Sequence, residues 1–109
     1  MGKPIAGDIV VLAFPQTNLQ LGKRRPALVV VNLPGDDLIL CQITSQTHRD
    51  AYSIPLDVND FDTGQLHVRS YIRPNRLFTV EQSVIHYTAA RVIAGKLDET
   101  LSKLRQLFT

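Results

Sequence analysis

Three adjacent cations, Lys23, Arg24 and Arg25, run through Pro26 straight into an unbroken apolar stretch, Ala27-Leu28-Val29-Val30-Val31. The apolar, β-branched run predicts a buried strand. Pro26 is tolerated at the first residue of such a strand, where a missing N–H costs little, and it biases Arg25 towards extended geometry. A rigid core strand then fixes an always-charged guanidinium at its mouth, which is how a chain holds an anion in place. Judged by its charge alone, the same run also reads as a solvated basic loop.

The chain around this junction is built of short strands and punctuation. Asp8 to Phe14 reads as a buried strand, opened by Gly7 and closed by Pro15, and residues 15–25 read as a polar loop. Pro34-Gly35-Asp36-Asp37 has the chemistry of a tight turn, so Leu38 to Thr44 should return as a hairpin partner of the strand at 27–31. A short run follows at Tyr52 to Leu56, then an acidic, loop-like stretch from Asp57 to Gly64. From Leu66 to Arg73 apolar and polar positions alternate. That alternation places Leu66, Val68, Ser70 and Ile72 on one face, with His67, Arg69, Tyr71 and Arg73 on the other. Leu77 to Val80 reads as a strand and Ala90 to Ala94 fits another, with a helical turn between them left open.

The last segment changes period. Gly95 breaks the strand pattern, Asp98 suits an N-cap and Glu99 suits the positive end of a helix dipole. Leu97, Leu101, Leu104, Leu107 and Phe108 then share one helical stripe, which predicts an amphipathic helix over 98–108. Many short strands followed by one helix predict a mainly β fold, a small and strongly bent barrel with a C-terminal α-helix. A length of 109 residues fits one domain spanning 1–109.

Composition removes several classes of function. The single cysteine, Cys41, lies in an apolar run and has no partner for an intramolecular disulfide, which fits a reducing compartment; the cytoplasm is the expected location. No segment approaches the length of a membrane span, so no membrane partner is expected. A formal net charge of +2 and a pI near 8.9 suit an acidic partner without demanding one. There is no Walker-type phosphate loop, no nucleophile elbow and no Cys-x-x-Cys pair. Asp57-Val58-Asn59-Asp60-Phe61-Asp62 superficially resembles a calcium loop, but Phe61 stands where a ligand is needed, so it reads as a solvated acidic loop. His48, His67 and His86 share no metal-ligand spacing, and neither a metal nor another cofactor is expected.

What remains is an apposition. In an antiparallel hairpin turning at residues 34–37, the start of the first strand and the end of the second lie side by side, so Arg25 and Thr44 should be close neighbours. A guanidinium beside the hydroxyls of Thr44 and Ser45 is a good receptor for a phosphate. Taken alone, Thr44 and Ser45 also read as polar residues that merely end a strand.

The order of short motifs is similar to that of the MazF/PemK toxin family. They are Gly7 to Val10, Arg25-Pro26-Ala27-Leu28-Val29-Val30, Ile43-Thr44-Ser45, Gly64-Gln65-Leu66, Ser70-Tyr71-Ile72-Arg73 and Leu77-Phe78-Thr79. The resemblance implies an SH3-like barrel of the CcdB/PemK type, a homodimer, and a metal-independent endoribonuclease neutralised by an acidic antitoxin protein. It implies that Arg25 and Thr44 are the catalytic pair, acting on single-stranded RNA by attack of a 2′-OH on the adjacent phosphorus to leave a cyclic phosphate and a 5′-OH. Lys23, Arg24, Ser45, Gln46, His48, Arg49, Arg69, Tyr71 and Arg73 are then the expected RNA contacts, cations for phosphates and Tyr71 for a base. One departure stands out: where some members carry a serine before the Arg-Pro motif, this chain has Asn18-Leu19-Gln20-Leu21. The alternative is a non-catalytic barrel that binds nucleic acid or protein. A gyrase-binding toxin of the same fold would rely on a C-terminal Trp-Gly-Ile, whereas this chain has no Trp and ends Leu107-Phe108-Thr109.

Overall fold

The computed structural model describes residues 2–13, 23–46 and 51–109. Seven strands, β1 (Asp8–Ala13), β2 (Arg24–Asn32), β3 (Asp37–Thr44), β4 (Ile54–Leu56), β5 (Phe61–Gly64), β6 (Ser70–Glu81) and β7 (Ile85–Val92), precede one helix, α1 (Ala94–Leu107). They form a single antiparallel sheet in the order β4-β6-β3-β2-β1-β7-β5, curled into a half-barrel.

Alternation along the strands sorts the core into two clusters. One face carries Ile9, Leu28, Cys41, Ile43, Ile54 and Ile72, and α1 covers it with Leu97, Leu101 and Leu104. The other carries Val10, Leu12, Ala27, Val29, Leu38 and Leu40, supported by Phe78, Val80 and Ile85. Truncating a wholly buried Leu28 or Leu40 to alanine would cost about 2–5 kcal/mol.

The cationic junction lies inside the sheet. β2 begins at Arg24, three residues before the expected Ala27, because β1 extends it: Leu12 pairs with Arg25 and Val11 with Pro26. The ladder from β2 to β3 stops at Ala27–Gln42, next to Pro26, whose missing N–H cannot extend it. The turn after β2 is anchored by the Lys3 ammonium, which donates to the carbonyls of Leu33 and Gly35. At that end of the sheet Asp37 sits opposite Glu81.

Several segments differ from the sequence expectation. The stretch 57–64 is not a loop: the Asp57 N–H donates to the Asp60 carboxylate at 2.7 Å to open a 3-10 turn at Val58–Asp60, and β5 then pairs with β7. The Asp60 carboxylate is therefore used both in capping and in pairing with Lys96. The alternation from 66 to 73 overran a bend at residues 67–68, so β6 starts only at Ser70, whose hydroxyl donates to the Val68 carbonyl at 2.9 Å; Val68, expected to be inward, is 62% exposed. Between Leu77–Val80, inside β6, and β7 there is indeed one 3-10 turn, Gln82–Val84.

The helix also begins earlier than 98. Ile93 is the N-cap, with its N–H given to the Asp60 carbonyl at 2.8 Å, so Gly95 and Asp98 lie within the helix. Packing overrides the glycine here. The Lys96 ammonium reaches the Pro55 carbonyl at 3.2 Å, Glu99 at 2.9 Å and Asp60 at 3.5 Å, tying the first turn to β4 and to the 3-10 turn. Burial works to lower the Lys96 pKa, but the hydrogen bond and charge of Glu99, with those of Asp60, outweigh it and hold it above the ordinary lysine value. Thr100 is wholly buried on the leucine face, satisfied by donating to the Lys96 carbonyl at 3.0 Å. Phe108, assigned to that face from the sequence, instead caps the helix and is 75% exposed.

Candidate nucleic-acid interface

Three strand ends meet at the end of the sheet away from the β2–β3 turn: the start of β2, the end of β3 and the start of β6. Directly opposed residues of antiparallel strands point to the same face. Ala27–Gln42 is the last pair of the β2–β3 ladder; two residues beyond it on each strand, alternation puts Arg25 and Thr44 on the face of that pair, Arg25 being paired with Leu12 of β1. On the other side of β3, Thr44 pairs with Tyr71 and Gln42 with Arg73. Arg25, Thr44, Tyr71, Gln42 and Arg73 therefore share the face that carries Val29 and Leu40.

Local bonds hold Thr44 in place. It is only 8% exposed, and its Oγ1 accepts the Gln46 backbone N–H at 3.1 Å, a turn that folds Ser45 and Gln46 back over the strand end. A hydroxyl that accepts one such bond can still donate its own hydrogen. Arg25, Tyr71 and Arg73 are half-buried, the Nε of Arg73 being buried, while Lys23, Arg24, Ser45, Gln46 and Arg69 are exposed. The arrangement offers fork-shaped and directional donors, with an aromatic ring one strand away, which suits a phosphate joined to a flat base.

The structure does not gather all the expected contacts. Arg24 is adjacent to Arg25 along β2 and so faces the opposite side of the sheet, where it lines a separate groove with His67. His67 and Arg69 precede β6, so they do not share a strand face with Tyr71 and Arg73 as expected. His48 and Arg49 lie outside the described residues.

Other residues at the site were not singled out in the sequence. A groove of about 610 Å³ continues from the Arg25 face along Leu12, Gln42, Arg76, Phe78 and Val80. Arg76 reaches it because β6 bulges. Gln42 pairs with Arg73 but the next residue, Cys41, pairs with Leu77, so Pro74, Asn75 and Arg76 are extruded from the ladder. Pro74 is the available signal, since a residue without an N–H marks a break in pairing.

Cys41 lies behind this face. Its burial pushes the thiol up to about 12, so the group stays protonated and unreactive. Among the described residues no three His, Cys, Asp or Glu side chains are grouped to hold a metal ion, and no helix is long and apolar enough to cross a membrane.

A family model described as PemK-like, MazF-like toxin of type II toxin-antitoxin system matches residues 5–108. The chain belongs to this toxin family. Solved structures agree on the PemK/MazF fold. A chain of the MazE-MazF (Form-II) crystal structure from Deinococcus radiodurans is 24% identical, with 99% of this chain and 97% of that chain covered and a TM-score of 0.76. The Mycobacterium tuberculosis toxin MazF-mt6 is 14% identical over 93% of this chain and 95% of its own, with a TM-score of 0.73. An endoribonuclease in complex with its cognate antitoxin, from a mycobacterial species, is 12% identical over 97% and 93%, with a TM-score of 0.69. No curated protein matches the chain significantly.

Proposed function

We propose that the chain is the toxin of a toxin–antitoxin pair, acting in the cytoplasm as a metal-independent, sequence-selective endoribonuclease on single-stranded RNA. The observation that supports this reading is strand alternation, which puts Arg25 and Thr44 on one sheet face at the neighbouring ends of β2 and β3, in a chain of the PemK/MazF family. A 2′-oxygen attacks the adjacent phosphorus while the bond to the 5′-oxygen breaks. The products are a 2′,3′-cyclic phosphate and a 5′-OH: the 2′-OH gives its proton to water and the leaving 5′-oxygen takes one up from water, so protons balance. Arg25 neutralises charge gathering on the phosphoryl oxygens, and Thr44 fixes the geometry by donating a hydrogen bond. A guanidinium holds its proton too firmly to act as the base, so its role is that of a donor. The requirement for a 2′-OH is what separates RNA from DNA.

Tyr71 stacks a base beside the scissile phosphate, and Arg73, Arg76 and Lys23 meet neighbouring phosphates. The groove running from this face to Phe78 and Val80 suits a homodimer that completes the RNA channel, and an extended acidic antitoxin segment competes for it. Purified protein incubated with RNA in excess EDTA, with cleavage ends mapped, tests the chemistry. Fragments bearing a 5′-OH and a cyclic phosphate are expected. Intact RNA, strict dependence on added magnesium or manganese, or 5′-phosphate ends would overturn the reading. Sedimentation across a concentration series tests the dimer.

A further inference from the structure

A second groove, of about 460 Å³, opens on the face of the sheet opposite Arg25. Val11, Pro26 and Tyr87 form one wall, with Arg24 at the rim, and the segment from Gln65 to Val68 forms the other. Its volume falls within the range of about 300–1,000 Å³ that small ligands occupy. The composition of the lining is selective: among the described residues it holds a guanidinium, an imidazole and a phenol, and no carboxylate. Tyr87 is 54% exposed within it, although an aromatic ring of that size is usually covered.

We infer that this groove is a second nucleotide subsite, holding a base and phosphate of the same RNA strand a short way along from the cleaved bond. The inference rests on the nuclease reading above. Tyr87 stacks the base, a contact indifferent to base identity, and Arg24 pairs with the phosphate. Gln65 supplies an amide that can read a base edge. The link between the two sites is β2 itself. Arg24 and Arg25 are consecutive, with Cα atoms about 3.8 Å apart, yet their side chains leave on opposite faces. An RNA strand passing over the rim of the sheet is thus held on both sides, and the outer hold sets affinity while the inner one performs the chemistry.

Two measurements test this on the full chain. First, wild-type protein is irradiated with RNA carrying 4-thiouridine at positions flanking the mapped cut. Cross-links are expected on peptides containing Tyr87 or His67 in addition to the Arg25 face. Second, Arg24→Ala/Tyr87→Ala is compared with wild type on a long RNA and on an oligonucleotide trimmed to the cut site. The double variant should raise KM on the long RNA by about tenfold or more, and raise it much less on the trimmed one. Cross-links confined to the Arg25 face, or a parental KM on long RNA, would overturn the subsite while leaving the nuclease reading in place. A variant that loses affinity for an acidic peptide but keeps its affinity for RNA would assign the groove to a protein partner and also overturn it. Wild-type protein that cuts no RNA would remove the reading on which the subsite rests.

Discussion

Thr44 of β3 stands directly opposite Tyr71 of β6, while the neighbour of β3 on its other side, β2, carries Arg25 on the same face. One buried strand end thus places a hydroxyl between a guanidinium and a phenol ring. All three side chains rise from strands and not from loops: Thr44 and Tyr71 are paired directly, and Arg25 is held by its pairing with Leu12 of β1. Catalysis by charge stabilisation depends on such preorganisation.

Replacing Arg25 or Thr44 by alanine should lower the cleavage rate by about a hundred- to thousandfold, the usual loss when one preorganised donor is removed. Arg25→Lys should recover only part of it, since an ammonium keeps the charge but not the fork, and Thr44→Ser should recover more. Single-turnover cleavage of labelled RNA gives the rates. Circular dichroism and urea titration check that the fold is retained.

Tyr71→Ala should weaken binding of single-stranded RNA by about 1–3 kcal/mol, whereas Tyr71→Phe, which keeps the ring, should lose much less. Fluorescence anisotropy with a 2′-deoxy-substituted, uncleavable oligonucleotide measures this. The affinity of the parent should fall as salt is raised, in proportion to the phosphates neutralised.

Two glycines with positive φ should respond very differently to alanine. Gly35, at φ +81°, has open space around the position of a Cβ, so Gly35→Ala should cost about 1–2 kcal/mol from backbone conformation alone. At Gly64, with φ +66°, a Cβ would lie 2.4 Å from the Ala89 carbonyl oxygen and 2.9 Å from the Ala90 Cα. The β5–β7 pairing must open to admit it, so Gly64→Ala should cost about 2–5 kcal/mol. Urea midpoints of the two variants decide the comparison.

Cys41 should resist thiol reagents at neutral pH until the protein unfolds. Burial raises its pKa from 9.0 to about 12, so the folded state holds the thiol proton more tightly than the unfolded state does. The resulting stability is fully present below pH 9 and is lost as the pH rises from 9 towards about 12. Thiol labelling with and without urea, together with urea midpoints from pH 8 upward for wild type and Cys41→Ala, checks both statements. The variant should show the shallower decline.

The hairpin of β2 and β3 was legible in the sequence because a strong turn separates two apolar runs. The strand expected over 8–14, of which Phe14 lies outside the described residues, the strand at 77–80 and the leucine face of the helix were legible for the same reason: their periodicity is local. The contacts that decide the remaining segments are distant in sequence. β5 exists because β7 lies beside it, and α1 starts at Ala94 because Asp60 and Pro55 hold Ile93 and Lys96. The candidate site was affected in the same way. Lys23, Arg24 and Arg25 look like one patch in the sequence, but strand alternation sends Arg24 to the reverse face, and only the three-dimensional path of residues 65–69 shows what it meets there.

The ladder between β3 and β6 has opposite signs at its two ends. It begins with two carboxylates face to face, Asp37 and Glu81, and near its other end sets Arg73 against Gln42, two pairs before it finishes at Thr44 and Tyr71. From Asp37 to Gln42, opposite Arg73, β3 spans roughly 17 Å, about two Debye lengths at physiological salt, so the acidic end does not neutralise the basic one. Along this axis the molecule is an electric dipole. A polyanion diffusing towards it experiences a torque before any contact forms, turning the basic rim forward and the carboxylates away. Encounters are therefore biased in orientation, and added salt should slow association before it loosens the complex already formed.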